Sequence, residues 1–288
     1  MQVILVPVAG RPECATALAS AFQVAKSLRA NVVGCHLRPH RHSKVSVPAE
    51  LEDLIADATA AWEATARDGK VARESESAHE LLAKVAQSYG LRVVKKLNGS
   101  ANSTVMWQER VGSPEKVMRI LGPTADMLVL SRPRSDASKL ARLFLLEAMF
   151  RSHRPILIVP PDSVRPVGRR ILIAWNQSGE AMRAVVAAMP LLQSAEKVTI
   201  SVAGPEDSRG PKARQLAQYL RYWKVDADVV KTGGQRPQRQ LMKVFRDTEA
   251  DLLVMGAYSR NRLSRILFGG VTKYMLQQAD IPVFMLHS

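Results

Sequence analysis

The sequence predicts an α/β protein made of two tandem, doubly wound domains with parallel sheets. Short apolar runs alternate along the chain with segments of about 10–15 residues that have helical spacing. A proline-rich stretch interrupts this pattern past the middle of the chain, and the pattern then begins again. The length of 288 residues suits two domains of ordinary size.

The composition is that of a globular protein with a basic surface. Hydrophobic residues make up 47% of the chain and charged residues 23%, which is enough apolar material for a core in each half. No apolar run approaches the roughly 20 residues of a membrane span, and the first residues predict a strand and not a signal peptide. We therefore expect a cytoplasmic protein. The net charge of +15 favours anionic partners such as nucleotides, nucleic acid or lipid headgroups without choosing among them.

The first half opens with a βαβ unit. Residues 3–8 and 31–37 predict short strands, and residues 15–28 between them predict a helix because their apolar positions fall on one face. Such a unit forms a right-handed parallel crossover. Residues 38–80 depart from the pattern, and the alanine- and acid-rich segment 49–84 predicts one or two surface helices inserted there.

The alternation then resumes up to a linker. Further strands are predicted at residues 103–110, 126–131 and 155–159, and helices at residues 114–121 and 140–150. Residues 160–168 contain three prolines and a glycine, which is typical of an inter-domain linker. We place the domains at residues 1–160 and 169–288, joined by residues 161–168.

The second half repeats the first. Residues 170–175 match residues 3–8 at an offset of 167. The strands predicted at residues 251–255 and 281–286 match their counterparts in the first half at offsets of 125 and 127. Between them the sequence predicts helices at residues 180–192, 211–222, 237–246 and 271–278 and strands at residues 197–203 and 227–231. Two copies of one α/β unit therefore follow each other along the chain.

The stretch most informative about function lies near the end of the chain. Apolar residues 252–255 lead directly into Gly256, which predicts a buried strand that ends at a tight turn. Gly269 and Gly270 precede the last helix. Free backbone N–H groups and the positive end of a helix dipole favour an anion, so this stretch predicts a phosphate cradle. Three arginines lie between the glycines, and a solvated helix face explains them as well as phosphate contact does: Arg260, Arg262 and Arg265.

The second repeat resembles the universal stress protein family in its tandem form. The family's nucleotide motif is G-x2-G-x9-G-(S/T), and its spacing is kept here from Gly256 through Ser259 to Gly269 and Gly270. Two of the four positions match, because Ser259 replaces a glycine and Gly270 replaces a hydroxyl residue. The resemblance implies Rossmann-like, adenine nucleotide alpha hydrolase-like domains. It also implies an intrachain pseudo-dimer in which the last strands of the two domains pair edge to edge.

The resemblance further implies an adenine nucleotide, ATP, in the second domain. Asn176 stands where an Asp is usual, so this side chain can form hydrogen bonds but carries no charge. Thr272 is a candidate replacement for the hydroxyl missing at Gly270, and we expect Trp175 to fill the sheet and not to stack on the base. The implied binding residues are Ala174, Asn176, Val202, Met255, Gly256, Tyr258, Ser259, Gly269, Gly270, Val271 and Thr272.

The first repeat departs further from the family. Its counterpart of the nucleotide stretch, residues 130–153, contains no glycine, and Pro133 has no N–H to offer a phosphate. Ala9 and Gly10 stand where the acid is usual. We therefore expect the first domain to bind no nucleotide in the family manner and to act as a structural partner.

Metal, redox and catalytic hypotheses find little support in the sequence. His36, His40 and His42 lack the Cys or carboxylate spacing that completes a metal site. We expect Cys14 and Cys35 to be buried or semi-buried thiols and not redox sensors, because no disulfide framework or CxxC motif is present. No Ser/His/acid set, paired carboxylates, Walker A motif or GxGxxG motif occurs, although slow ATP hydrolysis stays open.

The sequence therefore predicts a stress-response or regulatory binding protein and not a metabolic enzyme. Two alternatives stay open. One is a nucleotide-free scaffold that acts through contacts with an unidentified protein partner. The other is a basic factor associated with nucleic acid, for which only the charge argues. A homodimer of the whole chain is a further expectation.

Overall fold

The protein divides into two compact α/β units, Met1–Val164 and Arg165–Ser288. The computed structural model describes residues 1–39, 60, 62, 71–97, 102–133, 139–162, 164–207, 210–233, 235–257 and 270–287. In each unit parallel strands alternate with helices, so the predicted fold class is confirmed. Among the described helices, none is long and apolar enough to cross a membrane.

The first unit has a six-stranded sheet in which every pair of neighbours is parallel. The strands are β1 (Val3–Pro7), β2 (Asn31–Arg38), β3 (Arg92–Val94), β4 (Thr104–Val111), β5 (Met127–Ser131) and β6 (Ile156–Val159), in the spatial order β3-β4-β2-β1-β5-β6. The helices are α1 (Pro12–Leu28), α2 (Val71–Ser88), α3 (Pro114–Leu121) and α4 (Lys139–Arg151), with a 3₁₀ turn at Gly122–Thr124. The chain runs outward from β1 on both sides, which makes the gap between β1 and β5 the topological switch point.

The second unit repeats this plan with five strands. The strands are β7 (Arg170–Trp175), β8 (Lys197–Ala203), β9 (Ala227–Thr232), β10 (Leu252–Ala257) and β11 (Val283–His287), in the order β11-β10-β7-β8-β9. The helices are α5 (Gly179–Ala187), α6 (Met189–Ser194), α7 (Ala213–Tyr222), α8 (Pro237–Asp247) and α9 (Gly270–Gln277). All four pairings are parallel, and the switch point lies between β7 and β10.

The central strands are buried on both faces, which is why their sequences are continuous apolar runs. Ile4 in β1, Leu128 in β5 and Leu157 in β6 are fully buried, and so are Leu172 and Val254 in the second unit. Helices on both faces of a parallel sheet leave its middle strands no contact with water. The two cores therefore lie around β1 and β7, the strands that flank the switch points.

One aspartate in each unit accepts backbone hydrogen bonds at the amino end of the sheet and so links neighbouring strands there. Asp126, just before β5, accepts hydrogen bonds from the backbone N–H groups of Gln2 and Val3 at 2.5 and 3.0 Å. Asp251, just before β10, accepts from the N–H groups of three residues at the start of the second unit, Gly168, Arg169 and Arg170, at 2.9–3.1 Å. The repeat seen in the sequence thus includes a shared hydrogen-bonding device. Asp251 lies at the end of the sheet opposite to Gly256.

Three details differ from the predicted elements. The helix predicted at residues 180–192 is two helices that meet at Ala188, because Pro190 lies in the first turn of α6 and has no N–H to donate into a continuing helix. Strand β3 was missed, since its three residues are mostly exposed and lack an apolar pattern. Helix α2 extends to Ser88, four residues past the predicted end, while most of residues 49–70 lie outside the described residues.

Candidate functional site

The carboxyl ends of β7 and β10 lie side by side at the switch point of the second unit. Leu252 pairs with Ile171 and Val254 with Ile173, so the last residues of both strands reach the same edge of the sheet. Strand β8 lies on the other side of β7, with Val202 paired to Trp175. Ligands of doubly wound folds bind at such an edge. The geometry therefore places the candidate site where β7, β8 and β10 end.

The residues after β7 form a hydrogen-bonded turn that starts helix α5. Asn176 Oδ1 accepts from Ser178 N at 3.2 Å and from Ser178 Oγ at 2.7 Å. Ser178 is the N-cap of α5, and its Oγ accepts from Ala181 N at 3.1 Å. Asn and Ser are favoured in these positions because their side chains satisfy N–H groups that the helix leaves unpaired. The Asn176 oxygen is thus used within the turn, and its amino group is the part that can meet a ligand.

Gly256 lets the end of β10 lie directly against the first turn of α5. A Cβ atom at this position would be 2.5 Å from Ala181 N and 2.6 Å from the carbonyl carbon of Glu180. Real Cβ atoms do not come that close to backbone, so only glycine fits without a shift. Gly256 is therefore required for packing, and it joins the strand end and the helix start into one surface.

The start of α9 has a different character. Gly270 is exposed as its first residue, and a Cβ atom there would have no neighbour within 4 Å among the described residues. Val271 is half-buried, and Thr272 is only 8% exposed. A side chain can thus be added at position 270 without disturbing the packing, whereas the Thr272 hydroxyl is largely covered.

Comparison with known proteins assigns the second unit. Residues 168–287 match the model of the universal stress protein family. This part of the chain is a universal stress protein domain. No curated protein sequence matches the chain.

Solved structures extend the likeness to the fold of the whole chain. A universal stress protein from Archaeoglobus fulgidus DSM 4304 covers 99% of this chain and 98% of its own, with a TM-score of 0.67 and 14% identity. A protein from Pseudomonas aeruginosa UCBPP-PA14, described as a universal stress protein, covers 100% of this chain and 93% of its own, with a TM-score of 0.55 and 13% identity. At such identities the likeness shows the fold alone, which is that of tandem universal stress protein domains.

Several implied binding residues have side chains within the sheet of the universal stress protein domain. Val202 and Met255 are buried and Ala174 is half-buried, so ligand contact at these positions would use mainly the backbone. Trp175 is 2% exposed, and its Nε1 donates to the Pro211 carbonyl at 2.9 Å. The prediction that this indole fills the sheet is confirmed. Tyr258, Ser259 and Gly269, together with Arg260, Arg262 and Arg265, lie outside the described residues.

Two polar residues at the rim were missed in the sequence. Gln177 has a left-handed backbone (φ 61°), and its side chain accepts from Asp207 N and donates to the carbonyls of Asp207 and Gly210 at 2.8–2.9 Å. Glu206 pairs with Lys231 Nζ at 2.6 Å and accepts from Ala213 N at the start of α7. The Lys231 hydrogen bond, followed by that from Ala213 N, lowers the pKa of Glu206. These residues fix the segment after β8 beside the site, and neither belongs to a local sequence motif.

A third missed residue is a glutamate beside the strand end. Glu180 lies in the first turn of α5 against Gly256, and its Oε1 forms an ion pair with the Arg183 guanidinium at 3.2 Å. A carboxylate in a first helical turn interacts favourably with the helix dipole. The Arg183 partner offsets its charge beside the site.

The predicted thiols and histidines lie in the first unit. Cys35 is buried and Cys14 is half-buried. His36 Nδ1 is 2.9 Å from the Val8 carbonyl oxygen and therefore carries the proton that it donates. Within the described ranges, no group of three or more His, Cys, Asp or Glu side chains could hold a metal ion. His40 and His42 are outside those ranges.

Proposed function

We propose that the second unit binds an adenine nucleotide, ATP, and that the protein acts as a stress-response binding protein. The observation that carries the proposal is the tight packing of Gly256 on the first turn of α5 at the switch point. This packing occurs in a universal stress protein domain that keeps the spacing of the family's nucleotide motif. It places two strand ends and a helix start on one surface that a ligand can reach.

Backbone groups and short side chains would make most of the contacts with the nucleotide. The exposed start of α9 at Gly270 offers a phosphate the positive end of the helix dipole and N–H groups that have no acceptor within the helix. Asn176, after β7, would meet the nucleoside with its amino group, since its oxygen already accepts two hydrogen bonds. An amino group donates to acceptors such as a guanine carbonyl as readily as to those of adenine. We therefore expect this domain to discriminate only weakly between ATP and GTP.

The arrangement suits binding better than hydrolysis. The carboxylate of Glu180, a residue that packs against Gly256, is paired with Arg183, and Asp251 is engaged at the opposite end of the sheet. A hydrolytic site needs an acid or base within hydrogen-bond reach of the attacking water. The proposed role is thus regulation through nucleotide occupancy.

Position 270 provides a matched pair of variants for the test. Gly270→Ser restores the hydroxyl of the family motif, and Gly270→Asp adds a carboxylate that repels phosphate. A Cβ atom at this position meets no described neighbour within 4 Å, and serine and aspartate are tolerated at a helix N-terminus, so folding should be preserved. One added hydrogen bond contributes about 0.5–1.5 kcal/mol, so we expect Gly270→Ser to bind ATP about 2- to 10-fold more tightly than wild type.

Calorimetric titration with ATP measures all three proteins. The proposal requires measurable binding to wild type, tighter binding to Gly270→Ser and at least about tenfold weaker binding to Gly270→Asp. Absence of binding to wild type at millimolar ATP would refute it. Equal affinities for the two variants would show that nucleotide, if bound, does not contact the start of α9.

A further inference from the structure

The first unit contains a cavity at the carboxyl edge of its own sheet. The cavity lies at the switch point, lined by Val8 after β1, by Leu37 of β2 and by Leu130 of β5. Helices α1 and α4 contribute Ala17 and Phe144. Its volume of about 90 Å³ is several times the roughly 10–15 Å³ that one water requires. The cavity is thus large enough for a small organic molecule.

Much of the inner wall of this cavity is apolar. Val8, Ala17 and Leu37 are each buried. The two thiols that line the cavity are protonated, because burial raises the pKa of Cys14 and raises that of Cys35 to about 12. A wall of this kind favours aromatic or aliphatic groups over charged ones.

One polar group in the wall lacks a partner. Trp62 is 3% exposed and packs edge-to-face on Phe144, with ring centroids 5.7 Å apart. Its Nε1–H is buried and has no hydrogen-bond partner among the described residues. Buried indole N–H groups nearly always have a partner, and an unmade hydrogen bond costs free energy. A ligand in the cavity with an acceptor atom would satisfy this group.

The charged residues that line the cavity oppose a phosphate. Within the described ranges they are one guanidinium, that of Arg11, and two carboxylates, those of Glu13 and Glu74. Arg11 and Glu13 are half-buried and Glu74 is exposed, so these charges lie towards solvent. Pro133, which follows β5, has no N–H to donate. Among the described lining residues, a polyanion would therefore meet more carboxylates than guanidinium groups, and Pro133 offers it no N–H.

We propose that this cavity binds an uncharged, mainly apolar molecule of one or two rings whose hydrogen-bond acceptor pairs with Trp62 Nε1–H. The first unit is then a second ligand-binding unit with a chemistry unlike that of the second unit. The proposal uses only residues of the first unit, so its test does not depend on nucleotide binding by the second unit.

Coumarin and naphthalene are suitable probes because both are neutral and bicyclic, while only coumarin carries a carbonyl acceptor. Equilibrium dialysis gives the ratio of their affinities for each protein. Trp62→Phe keeps an aromatic ring and removes the donor. We expect this substitution to lower the coumarin-to-naphthalene affinity ratio about 3- to 10-fold, the loss expected for one hydrogen bond. The matched control is Trp223→Phe, an exposed indole in the second unit, which should leave the ratio unchanged.

Every outcome of this experiment bears on the proposal. Failure of coumarin to bind wild type, or an unchanged ratio in folded Trp62→Phe, would overturn it. Displacement of coumarin by ATP would overturn the uncharged ligand class. If Trp62→Phe does not fold, Ala141→Trp decides, since Ala141 lines the cavity from the half-buried face of α4. The indole of this variant should fill the cavity and abolish coumarin binding. Coumarin binding that is retained in Ala141→Trp would contradict the placement of the ligand in this cavity.

Discussion

Glu147 should make the stability of the first unit depend on pH. This residue of α4 is 2% exposed, and its Oε2 has no hydrogen-bond partner among the described residues. Burial raises its pKa from the ordinary 4.5 to about 7. Arg151, whose Nε is 3.8 Å away, lowers the pKa, and Glu115 on α3 raises it. The folded protein therefore holds a proton on Glu147 at pH values where the unfolded chain has released it.

The size and sign of the effect follow from this difference. The shift from 4.5 to about 7 corresponds to at most about 3 kcal/mol. The stabilising contribution of the protonated carboxyl is complete below pH 4.5 and is lost as the pH rises through about 7. Glu147→Gln keeps the neutral shape at every pH. We expect this variant to match wild type at acidic pH and to be more stable by up to about 3 kcal/mol at pH 8.

Urea unfolding between pH 4.5 and pH 8.5, with m-values compared to check for two-state behaviour, measures this difference. Glu80→Gln on α2 is the matched control, because Glu80 is exposed and its neutralisation should leave the pH profile unchanged. Wild type and Glu147→Gln with parallel profiles would refute the assignment of the pH dependence to this carboxyl.

Three further predictions follow from the packing. Gly256→Ala should destabilise the second unit by about 1–3 kcal/mol because the added Cβ overlaps α5, whereas Gly270→Ala should not destabilise it. Thermal unfolding compares the two variants, and equal melting temperatures would contradict the close packing at Gly256. Asp251→Ala leaves three backbone N–H groups without their acceptor and should lower the free energy of unfolding in urea by about 1–3 kcal/mol. Asp228→Ala removes only an exposed surface ion pair and should lower it little. A larger loss for Asp228→Ala than for Asp251→Ala would contradict the role of Asp251. With a pKa of about 12, Cys35 should react with iodoacetamide at pH 8 on the order of a thousandfold more slowly than free cysteine. Mass spectrometry measures the labelling of the folded protein. Rapid labelling of Cys35 before unfolding would contradict the raised pKa.

The sequence was most informative where burial imposes a simple pattern. Strands such as β5 and β10 are covered on both faces, so their apolar runs predicted both the strands and their parallel arrangement. The break at Ala188 was missed because α5 and α6 together keep helical spacing across it. The domain boundaries and the pairing of the two last strands stay predictions.

The candidate site was predictable in part for a similar reason. Trp175 was assigned correctly because its neighbours in the chain are apolar and form one strand. Gln177 and Glu206 depend on partners about 25–30 residues away, and no local motif encodes those contacts. The cavity of the first unit draws its wall from separate segments that only the fold brings together. Its unpaired group, Trp62 Nε1, has no signature in the sequence.

The central claim is that a nucleotide binds in the second unit and not in the first. Photolabelling with 8-azido-ATP, followed by peptide mapping, locates the bound nucleotide directly. We predict label in peptides from residues 168–287, suppressed by excess ATP and reduced in Gly270→Asp. Label in residues 1–164 that excess ATP suppresses, or the absence of suppressible label in residues 168–287, would contradict the claim.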